Sequence, residues 1–137
     1  MIKELQDKIF NDFPQLYRDR VLPDSISRMC DGFYCCGEGW YDIIYNLSKD
    51  IHEFCLKHKL EGDSYIRVFQ VKSKWGTLRY YLEEPGKLSP EQYKEVYSLI
   101  MKAQNLSAIT CEVCGKHAEL HDVKGWVTTV CEIHRNG

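Results

Sequence analysis

Apolar residues recur along this chain at spacings that define its elements. Near the start, Ile2, Leu5, Ile9, Phe10 and Phe13 predict a short amphipathic helix over 2–13, stopped by Pro14. The clearest helix lies at 40–59. There Trp40, Ile43, Ile44, Leu47, Ile51, Phe54 and Cys55 form one stripe, and Asp42, Asn46, Lys49, Asp50 and Glu53 fall largely outside it. At Tyr65 the grammar changes to β-branched and aromatic residues. Segments 65–71 and 77–82 predict the strands of a hairpin around a five-residue turn at 72–76. Ser89-Pro90-Glu91-Gln92 then supplies a cap, a first-turn proline and the glutamine of a capping box. The helix it opens should run to about Asn105 and bury Tyr93, Val96, Tyr97, Ile100 and Met101. Segment 21–39 reads as loop, but Phe33, Tyr34, Cys35 and Cys36 require part of it to be packed.

The pattern predicts an α+β fold, with amphipathic helices packed on a β-hairpin and a C-terminal zinc-ribbon or treble-clef-like module. The body is expected over 1–110 and the module over 111–137, docked on it as one compact unit. Trp126 is the expected docking residue, because so short a module has little core of its own.

Composition narrows the classes. Eighteen basic and 20 acidic residues give a formal charge of −2, which excludes a uniformly basic nucleic-acid protein but not a local basic surface. No apolar run is long enough to cross a bilayer, and the first residues lack the apolar stretch of a secretory signal, so a cytosolic setting is expected. Seven cysteines cannot all pair within the chain, and cytosolic thiols stay reduced; metal ligation, reactivity and small core positions are the roles left.

Four of these ligand-type residues fall into a specific pattern. Cys111-Glu112-Val113-Cys114-Gly115 has the spacing of a zinc knuckle, and Cys131-Glu132-Ile133-His134 supplies a second pair after 16 intervening residues. Three sulfurs and one imidazole complete a tetrahedral zinc site with no open position, which points to a structural rather than a catalytic metal. Between the pairs, 118–121 and 126–130 can form a small hairpin. His121 and, more weakly, His117 are rival ligands. A second cluster of Cys30, Cys35, Cys36, Cys55 and His58 stays open, although Cys55 also continues the apolar stripe. A nucleophilic cysteine would best sit in the Cys35-Cys36-Gly37 loop, with His52 or His58 as base.

Charge is segregated. Residues 65–82 hold Arg67, Lys72, Lys74 and Arg79 with no acidic residue, while the other 119 residues carry 14 basic and 20 acidic groups. Tyr65, Phe69, Trp75, Tyr80 and Tyr81 lie in the same segment. Such a mixture suits a protein partner or the phosphates and bases of a nucleic acid. Lys72, Lys74, Trp75 and Arg79 are the candidate partner-binding residues.

Cys36-Gly37-Glu38-Gly39-Trp40-Tyr41, then Val71-Lys72-x-Lys74-Trp75-Gly76-x-Leu78-Arg79-Tyr80-Tyr81, then Cys111-x-x-Cys114 and Cys131-x-x-His134 resemble a family of small phage and prophage proteins. Its members carry segments similar to C-G-D-G-W-F and V-K-x-K-F-G-G-L-R-F-Y before a terminal zinc module. Trp75 and Thr77 stand where the family often has Phe and Gly. The resemblance implies mobile-element origin, bound zinc and a cytosolic setting, and carries over no catalytic residue. The expected function is that of a non-enzymatic, zinc-stabilised protein that binds a host protein, for example a defence component, and inhibits or redirects it. Nucleic-acid binding through the basic aromatic hairpin is the alternative. A metal-dependent nuclease of treble-clef type, with Leu120-His121-Asp122 as a faint motif, is the second alternative.

Overall fold

The structure is a computed structural model that describes residues 1–83 and 88–135. The final two positions of the expected module, 136 and 137, lie outside the described residues. The elements run α1 (Lys3–Asp12), β1 (Phe33–Tyr34), α2 (Tyr41–Lys57), β2 (Val68–Lys74), β3 (Thr77–Leu82), α3 (Pro90–Ser107), β4 (Glu119–Val123) and β5 (Trp126–Val130). Mixed helix and strand, with a Cys/His cluster at the C-terminal end, agree with the α+β reading.

The apolar stripe of α2 is buried along its whole length, from Trp40 to Cys55; the helix packs against α3 and α1 and shares one core with the buried residues of the sheet. Sheet order is β1-β2-β3, with β1 parallel to β2 and β2 antiparallel to β3. Phe33, Val71, Leu78 and Tyr80 face the core. At the centre of that core the Tyr17 hydroxyl meets Ser48 Oγ at 2.6 Å and the Tyr80 hydroxyl at 2.7 Å, and Ser48 donates to Ile44 O at 2.7 Å. Burial is what holds the Tyr17 and Tyr80 phenols well above the ordinary tyrosine range.

Four expectations need correction, three of them in the body. The hairpin turn is two residues, not five: β2 continues to Lys74, which pairs with Thr77, and Trp75 and Gly76 make the turn at φ 55° and 76°. Positive φ at both central residues marks a type I′ turn, whose twist matches the flanking strands. On α3, Val96 and Ile100 are buried, but Tyr97 and Met101 are exposed and Ala103 and Ser107 take their places. Small residues let the helix approach β3 closely enough for Ser107 Oγ to accept from Leu78 N at 2.8 Å. Segment 21–39 contributes a strand, β1, which two residues of pairing do not announce in sequence.

The C-terminal module docks on the body, but not through Trp126, which is 68% exposed. The contact is built from backbone. Gly39 N donates to Glu112 O at 2.8 Å, and Trp40 Nε1 donates to Thr110 O at 2.8 Å. A Cβ at Gly39 would lie 2.0 Å from Cys111 O, and one at Gly37 would lie 2.1 Å from Glu112 O. A second contact joins the two hairpins, where Thr129 Oγ1 donates to Gly76 O at 2.6 Å.

Gly39→Ala is therefore expected to lower stability by about 2–3 kcal/mol, since an overpacked backbone contact cannot relax. Urea unfolding checks this. Trp40→Phe, which keeps an aromatic ring but orphans Thr110 O and leaves part of the indole's space empty, should cost about 2 kcal/mol or more in the same assay.

Candidate metal centre

Each half of the cluster is shaped by its own turn. In the first, Gly115 N donates to Cys111 O at 3.0 Å and Cys111 N to Lys116 O at 2.8 Å, folding Cys111 and Cys114 toward one point. Gly115 sits at φ 80°, where glycine carries no steric penalty. In the second, His134 N donates to Cys131 O at 3.0 Å. The β4–β5 hairpin, closed by Lys124 and Gly125 at φ 53° and 83°, brings the halves together.

The ligand atoms of Cys111, Cys114, Cys131 and His134 all lie within 4.8 Å of one another. Cys114 Sγ is 3.6 Å from Cys131 Sγ, and His134 Nδ1 is 3.6 Å from Cys111 Sγ and 3.2 Å from Cys131 Sγ. A tetrahedron with bonds of ~2.3 Å to sulfur and ~2.0 Å to nitrogen has edges of roughly 3.5–3.8 Å. The spacing thus fits one metal ion. Burial opposes ionisation at Cys111, but the backbone amides of Cys131, Cys114 and Val113 and the His134 ring together outweigh it and lower the thiol to about 6. Cys111 is thereby prepared as a thiolate, the form that ligates metal.

Glu112 ties the cluster to both hairpins. Its Oε1 accepts from Ser73 Oγ at 2.8 Å, its Oε2 from Thr129 N at 3.3 Å, and its amide donates to Thr129 O at 2.9 Å. Burial raises its carboxyl above the usual range, against these two hydrogen bonds. The module's own buried apolar set, among the described residues, is Cys111, Ala118, Val130 and Cys131. Two of those four are candidate ligands, so little hydrophobic burial would support the module without metal.

Neither rival histidine joins the cluster among the described residues. His121 lies on β4 opposite Thr128, and His117 bridges Thr110. The other cysteines form no second ligand cluster among the described residues. Cys55 is buried in the α2 stripe, and its neighbour His58 turns to Glu95 Oε2 at 2.9 Å and Gln92 at 3.3 Å. Cys36 is buried, and burial, with the Glu112 carboxylate nearby, pushes its thiol up to about 12, which leaves it a poor nucleophile. His52 Nδ1 meets the Tyr65 hydroxyl at 2.6 Å. Asp122 of the faint nuclease motif accepts from Gly125 N at 2.8 Å and stabilises the β4–β5 turn.

The candidate partner-binding residues divide between two places. Lys72 pairs across the strands with Arg79 and Lys74 with Thr77, on the face of the sheet opposite the core. Tyr34, which pairs with Lys72, and Tyr81, 5.9 Å below the Lys72 ammonium, complete that face. Arg79 Nε is buried with no hydrogen-bond partner among the described residues. Arg67, the fourth basic residue, is spent on buried Asp19, with Nη2 at 2.9 Å from Oδ1. Trp75 stands at the end of the hairpin, 63% exposed. Sequence reasoning missed what faces it: Trp126 and Tyr34 line the same cleft of about 340 Å³, with Glu112 also in its wall. Only the docking of the two hairpins creates that cleft, so no local pattern marks it.

Replacing Cys114 and Cys131 together by alanine is expected to reduce bound metal from about one equivalent to less than a tenth, read by elemental analysis. Chelation of the wild-type protein should lower its unfolding temperature by about 10 °C or more, since metal binding contributes directly to folding. A well-folded protein that carries no metal would remove the site.

No family model, curated protein or solved structure matches the chain.

Proposed function

We propose that the protein is a small zinc-stabilised binding protein of phage type, which engages a host protein, such as a defence component, and inhibits or redirects it. Zinc is the metal that three thiolates and an imidazole in tetrahedral array select. A site with four protein ligands has no position for substrate or water, which supports a scaffold role.

The observation that carries the reading is Trp75. It occupies the first central position of a type I′ turn at φ 55° and leaves 63% of its surface in solvent. A left-handed conformation costs an ordinary residue roughly 1–2 kcal/mol, and asparagine or glycine is favoured there. A large ring held in that conformation without burial does not serve folding; strain of this kind is the mark of a contact position. Trp and Arg are also the residues that most often anchor protein interfaces. The outer sheet face beside it bears Lys72, Lys74 and Arg79, with no acidic residue in its strand rows. It would steer an acidic partner surface toward the turn.

The same face, with Tyr34 and Tyr81 flanking Lys72, supports the alternative of single-stranded nucleic acid, whose bases stack on rings while cations meet phosphates. Salt separates the two readings. Phosphate contacts make log affinity fall steeply and linearly with log salt, whereas an anchored interface depends on Trp75 more than on salt.

Trp75→Asn is expected to stabilise the isolated protein by about 0.5–1 kcal/mol, by relieving the turn. The same substitution should abolish capture of the host partner in pull-downs. Lys72→Ala/Lys74→Ala should slow capture without abolishing it. Loss of a nucleic-acid gel shift in the lysine variant, with no protein partner at all, would replace the reading by the alternative.

A further inference from the structure

The cleft between the two hairpins has a definite chemistry. It begins where β1 stops: beyond Tyr34, β2 has no strand partner on that side among the described residues, and Ser73 and Lys74 share the cleft lining with Gly125 and the start of β5. The aromatic walls are Tyr34, Trp75 and Trp126, which are 58%, 63% and 68% exposed although they share one concavity. Its volume, about 340 Å³, lies at the lower end of the roughly 300–1,000 Å³ typical of small-molecule pockets. Three large rings left this open would ordinarily be buried against one another or replaced by polar residues.

The wall also holds the Glu112 carboxylate, in a residue only 9% exposed. Both its hydrogen bonds come from neutral donors, the Ser73 hydroxyl and the Thr129 amide. No ion pair involving it is found among the described residues. A carboxylate offers about four acceptor sites, so about two remain for an incoming donor. Among the described residues Lys74 is the one basic residue in the lining, and it is exposed, on the outer-face row with Thr77. Solvent screens an exposed ammonium much more than a buried carboxylate, so the net field in the cleft favours a cation.

Aromatic faces attract cations through their quadrupoles, tryptophan most strongly. Guanidinium suits this cleft better than ammonium. It stacks flat on rings, and its fork of N–H donors can reach a carboxylate whose other acceptor sites are taken. We propose that the cleft between Trp75 and Trp126 receives an arginine side chain of the partner protein, held against the three rings and paired with Glu112. This inference rests on the binding function above and names the residue class that function would recognise. It also gives Trp75 a second surface. The turn lines the cleft and directly follows Lys74 of the basic face, so an acidic partner patch and one partner arginine would be read side by side.

The test uses two blocked pentapeptides, Gly-Gly-Arg-Gly-Gly and the same peptide with citrulline, the neutral isostere, in place of arginine. Each is titrated into the zinc-loaded protein while the indole N–H resonances are followed. Trp40, buried and hydrogen-bonded to Thr110 O, is the internal reference. The arginine peptide is expected to shift Trp75 and Trp126 but not Trp40, and to bind at least about tenfold tighter than the citrulline peptide. Trp126→Ala and Glu112→Gln should each weaken it at least about fivefold, and Lys74→Ala, which removes the cation of the lining, should tighten it. Trp126 is exposed, so its variant carries the test even if Glu112→Gln disturbs the fold. Equal binding of the two peptides, binding that survives Trp126→Ala, or no saturable shift up to about 10 mM would overturn the arginine cleft. So would a trimethyl-lysine peptide that outcompetes arginine. If the cleft fails while Trp75→Asn still abolishes host capture, the binding function stands; if capture is also unaffected, both fall.

Discussion

The seating of the metal knuckle on the body depends on one close backbone approach. The segment Gly37-Glu38-Gly39 lies against the peptide groups of Cys111 and Glu112 so tightly that no side chain fits at either glycine. Trp40, completely buried, reaches past them to hold Thr110 O. The metal knuckle is therefore seated before any metal is considered, and the body dictates where Cys111 and Cys114 point. A metal held there would in turn fix the β4–β5 hairpin, since the module has almost no apolar interior of its own among the described residues. Folding of the body and closure of the cluster are in this way coupled through a few backbone contacts.

Glu112 extends the same logic to the surface. It follows the first ligand directly in sequence, and its carboxylate accepts from β2 through Ser73 and from β5 through Thr129. Thr129 completes the circuit by donating to Gly76 O in the turn beside Trp75. Ligand, carboxylate, hairpin turn and aromatic cleft thus form one connected set. Loss of metal would be felt at the cleft through these hydrogen bonds, without any contact between metal and partner.

Several features were legible in the sequence because they rest on local geometry. The α2 stripe is a 3.6-residue periodicity, and every member of it is buried. The Ser89–Gln92 capping box forms as the spacing requires. The two ligand pairs are close in sequence, so each turn alone aims its two ligands together. By contrast, the α3 face was read one step wrong, because Tyr97 and Met101 are apolar enough to look buried yet tolerate solvent. Ala103 and Ser107 carry no such signal, although close packing on β3 selects them for their size.

Sequence by itself determined the α+β class, the main helices and hairpins, and which four residues could meet a metal. Each follows from chemistry within a few residues of the chain. Only the tertiary structure decided that the two glycines serve as a seat for the knuckle, that Phe33–Tyr34 adds a parallel strand, and that Trp126 is left in solvent rather than used for docking. It alone placed Tyr34, Trp75, Trp126 and Glu112 around one cleft. Those four come from three separate regions of the chain. Their meeting reflects the fit of one folded surface on another, and pairwise packing of that kind leaves no periodicity to read.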